Sequence, residues 1–300
     1  MINIHIPATS ANVGAGFDSI GLALSLGNTV SVEEADGCCI TSADEQEIPK
    51  GPENLIYSSA RLLYEHCAKP FRGLRLRQSS PIPIARGLGS SSACIVAGLI
   101  GANALLKNPC TREDLLTMAA GIEGHPDNVA PALLGGLVAS CMEDGRVYSV
   151  KKEISPTLEF AVFVPDFKLL TEKARAALPQ TVRHADAVFN LSRAVLCQAA
   201  LCEGRLDLLP VATGDKIHQP YRLPLIDGGE EVFALAHKAG AGAVWVSGAG
   251  PTILAVVEKR HSEFWALAEE ALAALAKAGN PGGRFALSRM QADNAGARLI

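Results

Sequence analysis

Hydrophobic positions recur along this chain in two rhythms, every second residue and every third or fourth, and their alternation predicts an α+β fold. Residues 2–6 alternate and predict a strand, as do 29–33 and 73–77. Residues 54–68 have helical spacing instead, with Leu55, Ala60, Leu63 and Cys67 along one stripe. The apolar run 93–106 predicts a helix. Thr111 and Asp114 have the spacing of a capping box at the start of another, although Glu or Gln is the usual partner of the cap. Residues 136–142 return to strand, and Asp144-Gly145 between two strand-like runs signals a hairpin.

The second half repeats the mixture. LEFAVFVP reads as a buried strand stopped by Pro165, residues 186–203 as a long amphipathic helix, and 230–239 as a helix. A strand at 243–246, a turn at 248–251 and a strand at 253–257 follow, then a helix at 261–278 and a last strand at 284–288. The one soft boundary lies around 151–156. It divides the chain into an N-terminal lobe, 1–155, and a C-terminal lobe, 156–300, with the cleft between them as the expected site. The tail ADNAGARLI carries no readable pattern.

Composition narrows the function classes. Charged residues make up 19% and hydrophobic ones 48%, which suits a globular core and excludes a disordered chain. The formal charge is −4, without a basic stripe, so no nucleic-acid partner is expected. The run 93–106 is too short to span a bilayer, so no membrane partner is expected either. The N-terminus opens as a strand and lacks the layout of a signal peptide. The eight cysteines are scattered without a CxxC, and several sit in apolar stretches (Cys94, Cys141, Cys197). They read as small buried thiols in a cytoplasmic protein.

Four segments carry candidate chemistry. In PIPIARGLGSSSA, a turn with Gly87 and Gly89 runs through Ser90, Ser91 and Ser92 into the helix. Glycines admit an anion close to the backbone, and the unpaired amides of a helix N-terminus favour it; a serine-rich helix cap is the plainer reading. No GK[ST] follows, so this is not a Walker motif. PATSANVGAGFD places Asn12 and Asp18 after the first strand, where a polar surface turn would look the same. EGHPDNVAP packs Glu123, His125, Asp127 and Asn128 at a helix end. One histidine and no cysteine argue against zinc, whereas Glu123 suits a hard cation such as Mg²⁺. In VSGAGPT, between two apolar strands, Gly248 and Gly250 permit close approach to a neighbouring loop or a nucleotide.

Taken in this order, the four segments resemble the signature motifs of the kinase superfamily of galactokinase, homoserine kinase, mevalonate kinase and phosphomevalonate kinase. GLGSSSA resembles its phosphate loop and VSGAGPT its third motif, while PATSANVGAGFD and HPDNVAPALLGG resemble the homoserine kinase branch. The resemblance runs from about residue 4 to about residue 257 and implies a two-lobed fold. The N-terminal lobe would be ribosomal-S5-like and the C-terminal lobe ferredoxin-like.

It further implies transfer of the γ-phosphoryl group of ATP, with Mg²⁺, to the hydroxyl of L-homoserine. Pro83, Arg86, Gly87, Leu88, Gly89, Ser90, Ser91 and Ser92 would hold the triphosphate, and Asn54 the adenine. Ser91 and Glu123 would bind Mg²⁺. Asn12, Asp18, His125 and Asn128 would surround the amino acid, with Arg175 and Arg222 on its carboxylate, where a planar guanidinium makes two parallel hydrogen bonds. Mevalonate kinases activate the hydroxyl with an aspartate and a lysine; here the corresponding position is Asn128, which cannot take a proton. Asn128 and Asp18 are the catalytic candidates, one orienting the hydroxyl and the other holding the ammonium or touching the hydroxyl. Here only Gly124 separates Glu123 from His125, fewer residues than in many homoserine kinases. A homodimer is expected from the resemblance alone. A neutral alcohol as substrate, or a non-catalytic binding role, are the competing readings; the first leaves the two arginines without a purpose.

Overall fold

A computed structural model describes residues 1–44 and 46–300. Along the chain these form β1 (Ile2–Ala11), β2 (Ile20–Glu34), β3 (Gly37–Ser42), α1 (Leu55–His66), β4 (Gly73–Ser79), α2 (Ser90–Leu105), α3 (Arg112–Glu123), α4 (Pro126–Leu134), β5 (Leu137–Glu143) and β6 (Arg146–Lys152). The second half holds β7 (Leu158–Pro165), α5 (Thr171–Ala176), α6 (His184–Glu203), α7 (Leu209–Ala212), α8 (Gln219–Arg222), α9 (Gly229–Lys238), β8 (Ala243–Val246), β9 (Ile253–Glu258), α10 (Glu263–Lys277), β10 (Phe285–Met290) and β11 (Arg298–Leu299). Among the described residues no helix is long and apolar enough to cross a membrane.

The first sheet has the order β11-β1-β2-β4-β3, with β5 paired to β2 and β6 to β5. β2 is long enough to pair with β5 near its start and with β4 near its end. Only its second half showed a period of two, because residues 20–24 are buried on both faces and so apolar throughout. The edge strand β3 runs parallel to β4 and carried no alternation to betray it. Asp144 and Gly145 take positive φ in the two-residue β5–β6 hairpin, as their pairing predicted.

The second sheet has the order β10-β7-β9-β8, and its strands alternate sides strictly. Phe160, Val162, Trp245 and Leu254 face the core shared with the first lobe and α6. Ala161, Phe163, Val246 and Ile253 face a second core under α9 and α10. That strand order, with α9 and α10 on one face, is the ferredoxin-like arrangement. The tail returns to the first sheet: Ala292 bridges to Leu24, and β11 pairs with β1 at Ile4 and His5.

Two helix starts position the site. The Thr111–Asp114 capping box forms at α3 in full, so the shorter carboxylate suffices at that position. α2 begins at Ser90 rather than near Ala93, so the three serines are its first turn and not the loop before it. Gly89 is its N-cap, at φ 68°. A Cβ there would collide with Thr9 Oγ1, so both the left-handed backbone and the packing require glycine. The cysteines are all free thiols. Cys197 is buried as expected, but Cys141 lies exposed, where the end of β5 runs out into solvent with Met142 and Glu143.

Candidate active site

A cleft of about 400 Å³ opens between the two lobes. Its floor is the N-terminus of α2. No side chain caps that end, so the first-turn amides of Ser90–Ser92 keep free N–H groups beside the positive end of the helix dipole. The preceding turn is held from behind by the VSGAGPT segment: Ser247 Oγ donates to Gly87 O at 2.6 Å and Thr252 N–H to Arg86 O at 3.2 Å. Gly250 O also lies against Gly87, where a Cβ on Gly87 would come within 2.7 Å of it, and Gly248 lines the cleft.

Next to the helix end, Ser91 Oγ donates to Glu123 Oε2 at 2.9 Å and Ser92 Oγ to Oε1 at 2.8 Å. One carboxylate and a hydroxyl at the mouth of an anion site form a hard-oxygen set. This suits Mg²⁺, which takes few protein ligands and completes its shell with phosphate oxygens and water. Among the described residues no cluster of three His, Cys, Asp or Glu side chains offers a closed metal cage.

α3 ends at Gly124, and α4 starts at once with His125 as N-cap and Pro126 at its first position. His125 Nδ1–H donates to the buried Asp127 Oδ1 at 2.5 Å. That bond raises the imidazole pKa, against the opposing effect of burial. Asn128, one turn into α4, faces the cleft, and its Oδ1 accepts from Thr9 Oγ1 at 2.8 Å.

The turn after β1 is strained, with Asn12, Val13 and Asp18 at φ 71°, 37° and 52°. Asn12 holds it in shape, since its Oδ1 accepts from Asp18 N–H at 3.0 Å while its Nδ2 donates to Gly248 O at 2.8 Å. Asp18 accepts two parallel bonds of 3.0 Å from Arg175 on α5, an ion pair that spans the cleft. Arg222 is different. It is 2% exposed, Nη1 donates to Gly248 O at 3.0 Å, and Nε has no partner. Among the described residues no carboxylate pairs with it. Burial first, and the charge of Arg175 second, push its pKa down to about 10. Phe17 lies under both guanidinium groups, 5.1 Å from Arg222 and 5.7 Å from Arg175, and its ring stacks on buried His218.

All six expected substrate residues thus line one cleft, together with Gly87, Gly89, Ser90, Ser91 and Glu123. Others stand differently. Leu88 and Ser92 point into the interior, and Pro83 does not line the cleft. Arg86 lines it but spends Nε and Nη2 on the carbonyls of Pro165 and Asp166, which ties the lobes together. Asn54 lines it too, yet its amide is engaged as the α1 cap, accepting from Ile56 N–H at 2.9 Å and donating to Pro49 O at 2.9 Å. Sequence reasoning missed Thr9 and Phe17. Both stood inside the first motif, but only the fold brings Thr9 to Asn128 and Phe17 under two distant arginines.

Comparison with known proteins agrees with this geometry. Residues 54–136 match the family model of the GHMP kinases N-terminal domain and 197–280 that of the GHMP kinases C-terminal domain. The homoserine kinase of Caldicellulosiruptor bescii is 42% identical over 100% of this chain and 97% of its own length. The chain belongs to the homoserine kinases of the GHMP kinase family. The homoserine kinase of Moorella thermoacetica is 46% identical over 86% of this chain and 88% of its own. The crystal structure of the Cytophaga hutchinsonii homoserine kinase superposes with a TM-score of 0.86 at 29% identity, covering 100% of this chain and 97% of that one. Membership of this family makes ATP the phosphoryl donor.

Proposed function

We propose that this chain transfers the γ-phosphoryl group of ATP to the side-chain hydroxyl of L-homoserine, releasing ADP and O-phospho-L-homoserine for threonine biosynthesis. The observation that carries the substrate assignment is Arg222, a buried guanidinium that lacks a carboxylate of its own. A neutral alcohol would leave that charge unpaired, whereas an amino-acid carboxylate satisfies it. The Asp18–Arg175 pair fits the same zwitterion: the ammonium takes the place of the guanidinium on Asp18, and the carboxylate turns Arg175 towards Arg222.

The triphosphate lies on the amides of the α2 N-terminus, with the loop from Gly87 to Ser91 around it. Ser91 and Glu123 would hold Mg²⁺, which would supply neutralisation of phosphate charge there. The hydroxyl oxygen, oriented by the Asn128 amide, forms the new O–P bond as the bond from the γ-phosphorus to the ADP oxygen breaks. Asn128 cannot take the proton, so the hydroxyl proton leaves with the phosphoryl oxygens, and positioning supplies most of the rate. His125 stands beside the acceptor, held by its bond to Asp127, which also raises the imidazole pKa. A cytoplasmic location agrees with eight unpaired thiols.

A coupled ADP-release assay with MgATP tests this reading, with L-homoserine, L-serine, mevalonate and shikimate offered in parallel. Selective turnover of L-homoserine is expected. Equal or better turnover of mevalonate or shikimate, which carry a carboxylate but no ammonium, would remove the ammonium contact at Asp18 and with it the amino-acid substrate.

A further inference from the structure

We propose that Thr9 is a positioning residue for phosphoryl transfer, whose hydroxyl fixes the Asn128 amide with its NH₂ end towards the acceptor hydroxyl. This rests on the reading of Asn128 given above as the residue that orients that hydroxyl.

Thr9 is 0% exposed, near the end of β1. Its Oγ1 donates to Asn128 Oδ1 at 2.8 Å. Its backbone N–H donates to Leu88 O at 3.1 Å, so the same residue grips the phosphate loop. Oγ1 also fills the space where a Cβ on Gly89 would stand, and Asn128 Oδ1 lies 3.3 Å from that position. One side chain therefore touches the turn that receives the phosphates and the amide that receives the acceptor.

The two ends of an amide are nearly the same shape but opposite in function, one accepting and the other donating. Nothing in the size of Asn128 selects which end faces the cleft. In this structure the Thr9 hydroxyl donates to the oxygen, an arrangement that leaves Nδ2 for the substrate. An N–H donated to one lone pair of the acceptor oxygen leaves the other lone pair for the γ-phosphorus and turns the O–H proton away from Asn128. Losing that bond frees the amide to rotate, and misoriented reactants lose about 10- to 100-fold in rate.

The test compares Thr9→Val, which keeps the shape and removes the hydroxyl, with Thr9→Ser, which keeps the hydroxyl and removes the methyl. Thermal melts report folding; if the valine methyl disturbs Gly89, Thr9→Ala replaces it as the hydroxyl-free variant. The expected result is a kcat for L-homoserine lowered at least about 10-fold in the hydroxyl-free variant. KM for ATP and for homoserine should stay within about threefold of wild type, with kcat restored by serine. Three results overturn the proposal: an unchanged kcat without the hydroxyl, a serine variant as slow as the hydroxyl-free one, or a loss confined to KM for ATP. Wild-type enzyme that ignores homoserine would instead overturn the underlying substrate reading, and the unmutated control shows this first.

Discussion

Replacing Arg222 by methionine separates a residue that serves the substrate from one that serves the fold. The guanidinium is buried with a single hydrogen bond and a pKa depressed to about 10. At about 1.4 kcal/mol per pH unit, burial and the charge of Arg175 together disfavour the cation by about 3 kcal/mol. Methionine has similar length and no charge, so it relieves that penalty. Against this stand the charged hydrogen bond to Gly248 O, about 1.5–3 kcal/mol, and the contact with the Phe17 face, about 0.5–1 kcal/mol. Gly248 O keeps its bond from Asn12, so no buried acceptor is orphaned. The terms nearly cancel, and the melting temperature of Arg222→Met should stay within about 3 °C of wild type. Binding behaves otherwise, since removing the partner of a buried carboxylate costs about 2–5 kcal/mol. That is a loss of about 30- to 5,000-fold in kcat/KM for L-homoserine, with KM for ATP unchanged. Differential scanning fluorimetry and the coupled ADP assay read the two quantities on one preparation. An unchanged kcat/KM for homoserine, whatever the melting temperature does, refutes the assignment of Arg222 to the substrate carboxylate.

Asp18→Asn should raise KM for homoserine more than about 10-fold and leave kcat within a few-fold, because the charge it removes binds the ammonium. A collapse of kcat at unchanged KM would make Asp18 the proton acceptor instead. Glu123→Gln should raise the Mg²⁺ concentration for half-maximal rate at least about 10-fold, since a neutral amide is a poor ligand for a hard cation; an unchanged Mg²⁺ titration would place the metal elsewhere. His125→Gln should destabilise the protein in a pH-dependent way. The folded-state pKa of His125 is raised above 6.5, chiefly by its bond to Asp127, so its stabilisation is complete below about pH 6.5 and fades as pH rises through the folded value. Thermal melts of both proteins from about pH 5.5 to about pH 9 should show the gap in melting temperature closing towards high pH. A gap that widens with pH would contradict the assignment.

Much of this architecture was legible in the order of residues, and the exceptions have physical causes. Strands open to solvent on one face announced themselves by alternation, as at 73–77. Strands buried on both faces did not, which hid the first half of β2. The start of α2 was displaced because serine favours caps in general, while here Gly89 caps and Thr9 fills the space beside it. The tail was unreadable because its pairing with β1 depends on a partner nearly 300 residues away in sequence. Within the site, residues that face the cleft were recognisable from motifs, whereas those acting through another residue were not. Thr9 and Phe17 belong to the second kind. Asn54 and Asn12 show the converse, since both lie where the motifs place them, yet their amides are engaged by backbone, local for Asn54 and partly from the distant Gly248 turn for Asn12.

Three charged side chains, Asp18, Arg175 and Arg222, fit the cleft to a zwitterionic amino acid whose hydroxyl is phosphorylated. The most direct measurement follows product formation by ³¹P NMR with MgATP and L-homoserine, beside 3-amino-1-propanol, which lacks the carboxylate, and 4-hydroxybutyrate, which lacks the ammonium. A new phosphomonoester signal with L-homoserine, and at least about 100-fold slower formation from either analogue, is the predicted result. Comparable rates on all three alcohols would contradict the roles given to Arg222, Arg175 and Asp18 together.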